Sequence, residues 1–285
     1  MSVRFDDPLM HNIPPDRVNY ENGVLLDEVD FKAEQTYHRG RLSRLLAYLH
    51  GSGTVAGLKV REKPDDITTL VIEPGLAIDR LGRMIEVPQN YCLNIADWFN
   101  AQLQSSLGLT RMSQAFREAD GEIPAGIVVD LFIKFAICER GKTPAFSHGN
   151  QEVTDAFTFA RMRDAFKLEL RIRDDGIENI PVPNKGIADL TGNSKLQRKS
   201  AVENFKLDFG WRENTQWSTI DGQLNKDQEH LQDQDGSEVF LARLRIPATT
   251  EPVTYNDSLS IHFDNQLRRF VYSTHELSWI QQAGE

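Results

Sequence analysis

Residues Ile127 to Cys138 constrain the fold of this chain more than any others. Ile127, Val129, Leu131, Ile133, Phe135 and Ile137 recur at every second position, the period at which side chains of a β-strand return to the same face. The residues between them are mostly apolar too, with Val128, Phe132 and Ala136 among them. A strand that is apolar on both faces belongs in the middle of a sheet with cover on both sides. Phe166-Lys-Leu-Glu-Leu-Arg-Ile172 alternates more cleanly and predicts a strand with one wet face. Val239 to Ile246, Leu259 to Phe263 and Arg269 to Ser273 predict further strands. Asn184 to Asn204 and Thr215 to Gly236 are polar and predict loops or excursions between them.

The amino-terminal part follows a different period. From Glu28 to His50, the residues Phe31, Gln35, His38, Leu42, Leu45, Leu46 and Leu49 recur at three- and four-residue spacing, which predicts a helix with one apolar stripe. Asp27 or Asp30 can cap its start, and Gly51 supplies a left-handed stop. Gly40 weakens its middle by about 1 kcal/mol relative to alanine. Arg39, Arg41 and Arg44 fall toward the second half, where cations suit the helix dipole. A helix of this length is marginal unless it buries its stripe. The expected partner is the segment Leu70 to Val87, through Ile72, Leu76, Ile78 and Ile85. That segment reads as a hairpin with Gly82 at the position requiring positive φ. Short strands are expected at Leu58 to Val60 and Thr69 to Glu73. A second helix is expected from Asn94 to about Leu107, with Ile95, Trp98, Phe99 and Leu103 inward, followed by a polar, loop-like stretch from Gly108 to Ala125 with at most one helical turn.

The fold class expected is therefore α+β, mainly antiparallel β with one long amino-terminal amphipathic helix and a short second helix. Three regions follow. Residues 1–22 form an extended arm, marked by Pro8, Pro14 and Pro15. Residues 23–108 form a helix-plus-hairpin docking module, and residues 109–285 a β-rich domain with polar insertions.

Composition removes several function classes. The chain has 285 residues and a formal net charge of -10, which opposes the basic footprint that nucleic acid requires and electrostatic recruitment to anionic lipid. No apolar run approaches the roughly 20 residues that cross a bilayer. Met1 to Asp16 carries acids and prolines rather than a basic stretch followed by an apolar one, so no secretory signal is read there and a cytoplasmic location is expected.

Motifs for chemistry are incomplete throughout. Gly51-Ser-Gly-Thr-Val-Ala-Gly57 follows a helix and precedes a strand, the reverse of the order a phosphate loop needs, so it reads as a tight turn. His11, His38, His50, His148, His230, His262 and His275 are scattered, with no HExxH and no Cys/His cluster. Cys92 and Cys138 form no CxxC pair and read as buried thiols. Cys138 and His148 could meet across a hairpin, but no third group orients them. Asp233-Gln-Asp-Gly236 with Glu238 reads as an acidic turn, because the bidentate acid of a calcium loop is missing. Glu34 and Gln35 fit either a solvated helix face or a polar register at an interface. Trp211 and Trp217 read as core rather than carbohydrate platform. No enzyme, cofactor or metal site is expected.

Three segments taken together carry a resemblance. They are Asn22-Gly-Val-Leu-Leu-Asp-Glu-Val-Asp-Phe-Lys-Ala-Glu-Gln-Thr-Tyr-His-Arg-Gly-Arg-Leu42, His50-Gly-Ser-Gly-Thr-Val-Ala-Gly-Leu-Lys-Val60, and Val71-Ile-Glu-Pro-Gly-Leu-Ala-Ile-Asp-Arg-Leu-Gly-Arg-Met-Ile-Glu-Val-Pro88. The series resembles a family of structural, baseplate- or fibre-associated proteins of extracellular contractile injection systems, the phage-tail-like particles of bacteria. Weaker echoes follow at Cys138-Glu-Arg, Ala160 to Phe166, Leu241-Ala-Arg-Leu and Ile261 to Phe270. The resemblance implies a subunit that works by protein–protein assembly, in a particle that is released or docked at a membrane. Its partners would be other subunits of the particle (baseplate, sheath, tube or fibre) in several symmetric copies, with neither nucleic acid nor direct membrane insertion. It implies no catalytic residues. The residues expected to make the assembly interface are Phe5, Pro8, Pro14, Pro15, Tyr20, Phe31 and Tyr37. The competing expectation is a glycan-binding or cell-wall-hydrolysing protein carried on the particle, which would need a groove with two acids at glycosidase separation or a row of exposed aromatics.

Overall fold

A computed structural model describes residues 3–4, 7–10, 16–144, 157–175, 197, 219–220, 223–224, 229–231, 233–250 and 253–277 of the chain. Its elements are β1 (Val3–Arg4), a 3-10 turn (Pro8–Met10), α1 (Glu28–His50), β2 (Gly53–Gly57), β3 (Val60–Lys63), β4 (Asp66–Ile72), β5 (Gly75–Ile78), β6 (Met84–Val87) and β7 (Tyr91–Asn94). They continue with α2 (Ile95–Leu103), α3 (Ser106–Ala115), β8 (Phe116–Arg117), β9 (Gly126–Pro144), β10 (Phe157–Ile172), β11 (Thr219–Ile220), β12 (Gln223–Leu224), β13 (Val239–Thr250), β14 (Val253–Tyr255) and β15 (His262–Asp264). The architecture is α+β, and its strand pairs within the sheets are antiparallel.

The doubly apolar run lies within β9, the axis of a seven-stranded sheet. β10 runs along one edge of β9 from Ile172 opposite Val129 to Phe157 opposite Pro144. Along the other edge lie β13, from Pro247 opposite Gly126 to Val239 opposite Ile133, and β1 beside Ile137 and Cys138. On one face of this sheet, Ile127, Val129, Leu131, Ile133, Phe135 and Ile137 join the main core. Leu70 and Ile72 of β4, Ile85 and Val87 of β6, Ile95 and Phe99 of α2, and Met112 of α3 share it. The core runs across residue 108 without a break.

The other face of β9 is polar at its heart and still buried. Asp130 is fully buried and accepts two hydrogen bonds from Arg243, at 2.7 and 2.8 Å, and one from buried Arg173, at 3.2 Å. Burial pushes the Asp130 carboxyl upward, against the pull of Arg243 and Arg173. Residues 229–231 and 233–238 cover this face. His230 lies against the Phe132 ring at 5.6 Å, and buried Glu238 meets Arg171 at 2.6 Å. The acidic turn read at Asp233 to Gly236 is held here by Lys134, 2.7 Å from Asp235. A sheet buried on both faces thus needs one apolar cover and one that satisfies every charge it encloses.

Several boundaries differ from expectation for identifiable reasons. The expected second helix divides at Gln104-Ser105. Ser105 Oγ accepts from the Gly108 N–H at 3.0 Å and caps α3, which replaces the expected loop and buries Met112 and Ala115. The glycine-rich link after α1 is a strand, β2, paired with β5 across a register shift between Thr54 and Ala56. A Cβ on Gly57 (φ +63) would stand 2.1 Å from the Pro74 carbonyl oxygen, so the glycine permits this crossing. The expected strand Arg269 to Ser273 reduces to a single parallel bridge between Phe270 and Thr54. Cys92 is exposed and Cys138 half-buried, so the two thiols are not core residues. His148, Trp211, Trp217 and all of 184–204 but Gln197 lie outside the described residues.

Candidate assembly interface

α1 is capped as its sequence requires. Asp27 Oδ1 accepts from the Val29 N–H at 2.9 Å and the Asp30 N–H at 3.3 Å, while Asp30 Oδ2 accepts from the Asp27 N–H at 2.9 Å. At the other end the Gly51 N–H reaches the Ala47 carbonyl at 3.1 Å, with φ at 77°.

The face that α1 turns to the body is made of small residues. Gly40, Ser43 and Ala47 are buried, and Ala33 and Thr36 are half-buried beside them. The turn between β5 and β6 comes so close that a Cβ on Gly82 (φ +79) would stand 1.8 Å from the Ser43 carbonyl oxygen. Backbone meets backbone there, which leaves no space for a leucine.

Buried charges fix this approach. Asp79 Oδ1 accepts from the N–H groups of Leu81 and Arg83, each at 2.9 Å, and its Oδ2 accepts from Arg83 Nε at 2.6 Å. Burial raises the Asp79 carboxyl above its ordinary range, with Arg83 pulling it the other way. The Arg83 guanidinium stacks on the Phe135 ring of β9 at 4.7 Å. Asp7, itself fully buried, lies 3.6 Å from Arg83 and accepts from Arg39 of α1 at 2.8 Å. Amino-terminal segment, helix, hairpin turn and central strand therefore meet at one cluster. The expectation of an extended arm over residues 1–22 is corrected at its start: Asp7 and Leu9 are buried in the chain's own fold, and β1 pairs with β9.

The leucine-rich stripe is on the opposite side of α1, facing solvent. Phe31, Gln35, His38, Leu42, Leu45 and Leu49 are all exposed, Leu45 by 55% and Leu49 by 68%, and only Leu46 is half-buried. Leu42 and Leu46 border the hairpin turn across a hollow lined also by Gly82, Arg83 and Met84, so the expectation that the stripe packs on the hairpin is corrected for Phe31, Leu45 and Leu49. Hairpin residues Ile72, Ile78 and Ile85 are buried without it, and Leu76 is half-buried. The signal was present in the sequence: Ala33, Gly40 and Ala47 form a second stripe half a turn away from the leucines, and the small stripe allows the closer approach.

The other expected interface residues are spread out. Phe5, Pro14 and Pro15 lie outside the described residues. Pro8 is exposed at the start of the 3-10 turn, and Tyr20 is exposed ahead of α1. Tyr37 is half-buried on the flank of α1, with Arg41 over its ring at 5.4 Å and His38 against its edge. Phe31 joins the exposed stripe; Tyr37 does not. Val24 and Leu25, exposed just before the helix, extend the apolar surface.

An open groove of about 950 Å³ lies between the β5–β6 hairpin and β10, lined by Leu76, Met84, Val87, Tyr91 and Phe166 among others. Tyr91 and Phe166 pack edge to face at 5.3 Å. Among the described residues, no group of three or more His, Cys, Asp or Glu is placed to hold a metal ion, and no helix is long and apolar enough to cross a membrane. No protein-family profile and no curated protein matches the chain.

Proposed function

We propose that this chain is a structural subunit of a phage-tail-like contractile injection system, placed in the baseplate or anchoring a fibre, and that it acts by assembly rather than catalysis. The observation that carries the proposal is the outward stripe of α1. Large apolar side chains at Phe31, Leu42, Leu45 and Leu49 stand in water on a helix rigidly mounted through its other face. Contiguous exposed apolar surface of this kind marks an interaction site. The segments that build the mount, Asn22 to Leu42 and Val71 to Pro88, are also those in which the resemblance to particle proteins is concentrated. An acidic chain suits a protein partner better than nucleic acid.

The test is made on purified particles from the native host. Mass spectrometry and cross-linking should find the chain at a stoichiometry that fits the particle's symmetry, and Leu45→Glu should remove it from the particle while leaving its fold intact. Particles that form and fire normally without the chain, and never contain it, would overturn the assignment.

A further inference from the structure

The exposed stripe of α1 has a period that specifies its partner. Glu28, Phe31, Gln35, His38, Leu42, Leu45 and Leu49 are separated by three and four residues in strict alternation, the a and d positions of three consecutive heptads and the first position of a fourth. All seven are exposed, while Ala33, Gly40 and Ala47, at the f position opposite the seam, are half-buried or buried against the body. A repeat of 3.5 residues is the condition for another helix to follow the seam. A strand would require a period of two, and the net charge of -10 opposes recruitment to an anionic bilayer surface. The flanks here carry Lys32, Arg39 and Leu46 on one side and Glu34, Arg41 and Tyr48 on the other.

We propose that α1 pairs with α1 of a second copy of this chain as a parallel, in-register two-stranded coiled coil. The inference rests on the reading of this stripe as an assembly surface and adds the partner and its geometry. Polar layers decide the orientation. In parallel register Gln35 meets Gln35 of the second copy and His38 meets His38, Phe31, Leu42, Leu45 and Leu49 also meet their own kind, and Glu28 meets Glu28 in the exposed first turn, where each is held by Lys32 of its own helix. In the antiparallel arrangement Gln35 would face Leu45 and His38 would face Leu42, burying an amide and an imidazole against leucine. A polar residue at one a position is a recognised device for fixing register. Charges agree with the same arrangement. In parallel coils each g residue faces the e residue of the next heptad, which sets Glu34 against Arg39, opposite in sign, and Arg41 against Leu46. Arg39 meets Asp7 through one terminal nitrogen, and a guanidinium carries five N–H donors. Each body is attached mainly through the side of α1 away from the seam, and the hairpin turn borders the seam at Leu42. Three heptads are marginal for a free peptide, but α1 is already folded on its own body, so nucleation costs nothing further on pairing.

Sedimentation of the full chain over a range of concentrations tests the pairing. A monomer–dimer equilibrium in the micromolar range is expected. Leu45→Glu should weaken it about tenfold or more without changing the far-ultraviolet circular dichroism or melting of the dilute chain, whereas Leu107→Glu, an exposed apolar position on α3, should leave it unchanged. Orientation is read from Gln35→Cys in a Cys92→Ser background, which should form a disulfide-linked dimer under mild oxidation. A chain that remains monomeric, a dimer indifferent to Leu45→Glu, or a dimer in which Gln35→Cys fails to cross-link overturns the proposal. A monomeric chain that still needs Leu45 to enter particles would leave the assembly reading standing and remove self-pairing. A dimer never found in particles would do the reverse.

Discussion

β9 and α1 both carry regularly spaced large apolar residues, and they place them on opposite sides of the protein surface. In β9 every residue from Ile127 to Ile133 is buried, and even Asp130 is enclosed with its two arginines. In α1 the large apolar residues face water, while Gly40, Ser43 and Ala47 make the attachment. The strand is held by apolar area removed from water. The helix is held by close backbone approach and by the Asp7, Arg39, Arg83 and Asp79 cluster. Apolar periodicity identifies a face that will be covered, but it does not say whether the cover comes from the same chain.

The charge cluster allows the hardest test of this contrast. Asp79→Ala leaves Arg83, 3% exposed, without its closest carboxylate and should cost about 3–5 kcal/mol in urea denaturation. Amide exchange should show α1 and the 79–83 turn losing protection before β9 does. Uniform loss across the molecule would mean that helix and sheet are not held by different means.

Leu131→Ala makes the complementary test in the strand. Leu131 is fully buried between Leu170 and Ala242 in the register of the sheet. Its truncation should cost about 2–5 kcal/mol, depending on how far the cavity collapses. A loss below about 1 kcal/mol would show that the core of β9 is looser than its burial implies.

Much of this architecture could be read from the residues. The bounds of α1 coincide with the expected helix because capping acids and a terminal glycine act locally, and the Gly82 turn follows from a single φ requirement. The outer face of α1 was less legible. Its periodicity predicts packing on the hairpin, whereas Leu42, Leu45 and Leu49 are exposed. The deciding fact, a carbonyl of Ser43 against Gly82, is a tertiary contact between segments well separated in the chain. The same holds for Arg268, which donates to the Leu58 carbonyl at 2.8 Å across the whole length of the fold. No local pattern announces either contact.

A polar atom placed inside is the counterpart of the leucines placed outside, and Tyr255 supplies one. Among the described residues its hydroxyl oxygen is buried without a hydrogen-bond partner, beside the Phe99 ring at 5.4 Å. Desolvation, with Glu62, Asp257 and Asp66 adding to it, pushes the phenol up to about 12. An acid whose folded pKa exceeds its unfolded value of about 10 lowers stability as pH rises between the two, because the unfolded chain ionises first. Tyr255→Phe should therefore be neutral or stabilising by up to about 1 kcal/mol at pH 7 and should flatten the alkaline decline above pH 10. Destabilisation at neutral pH would reveal a partner for the hydroxyl.

The smallest effect is expected on the outer face of α1. Leu45 is 55% exposed, so Leu45→Ala removes little area that folding of the monomer buries, and alanine is the better helix former. Denaturation of the dilute chain should shift by no more than about 0.5 kcal/mol in either direction. Raising the protein concentration separates the roles of the two faces. The natural chain should gain stability by mass action as its helices pair, and the variant should gain less. A loss well above 1 kcal/mol in the dilute variant would mean that the outer face supports its own fold, and the contrast with β9 would then fail. Near-identity when dilute, with divergence when concentrated, would assign the leucines of α1 to a surface that is completed only by a second molecule.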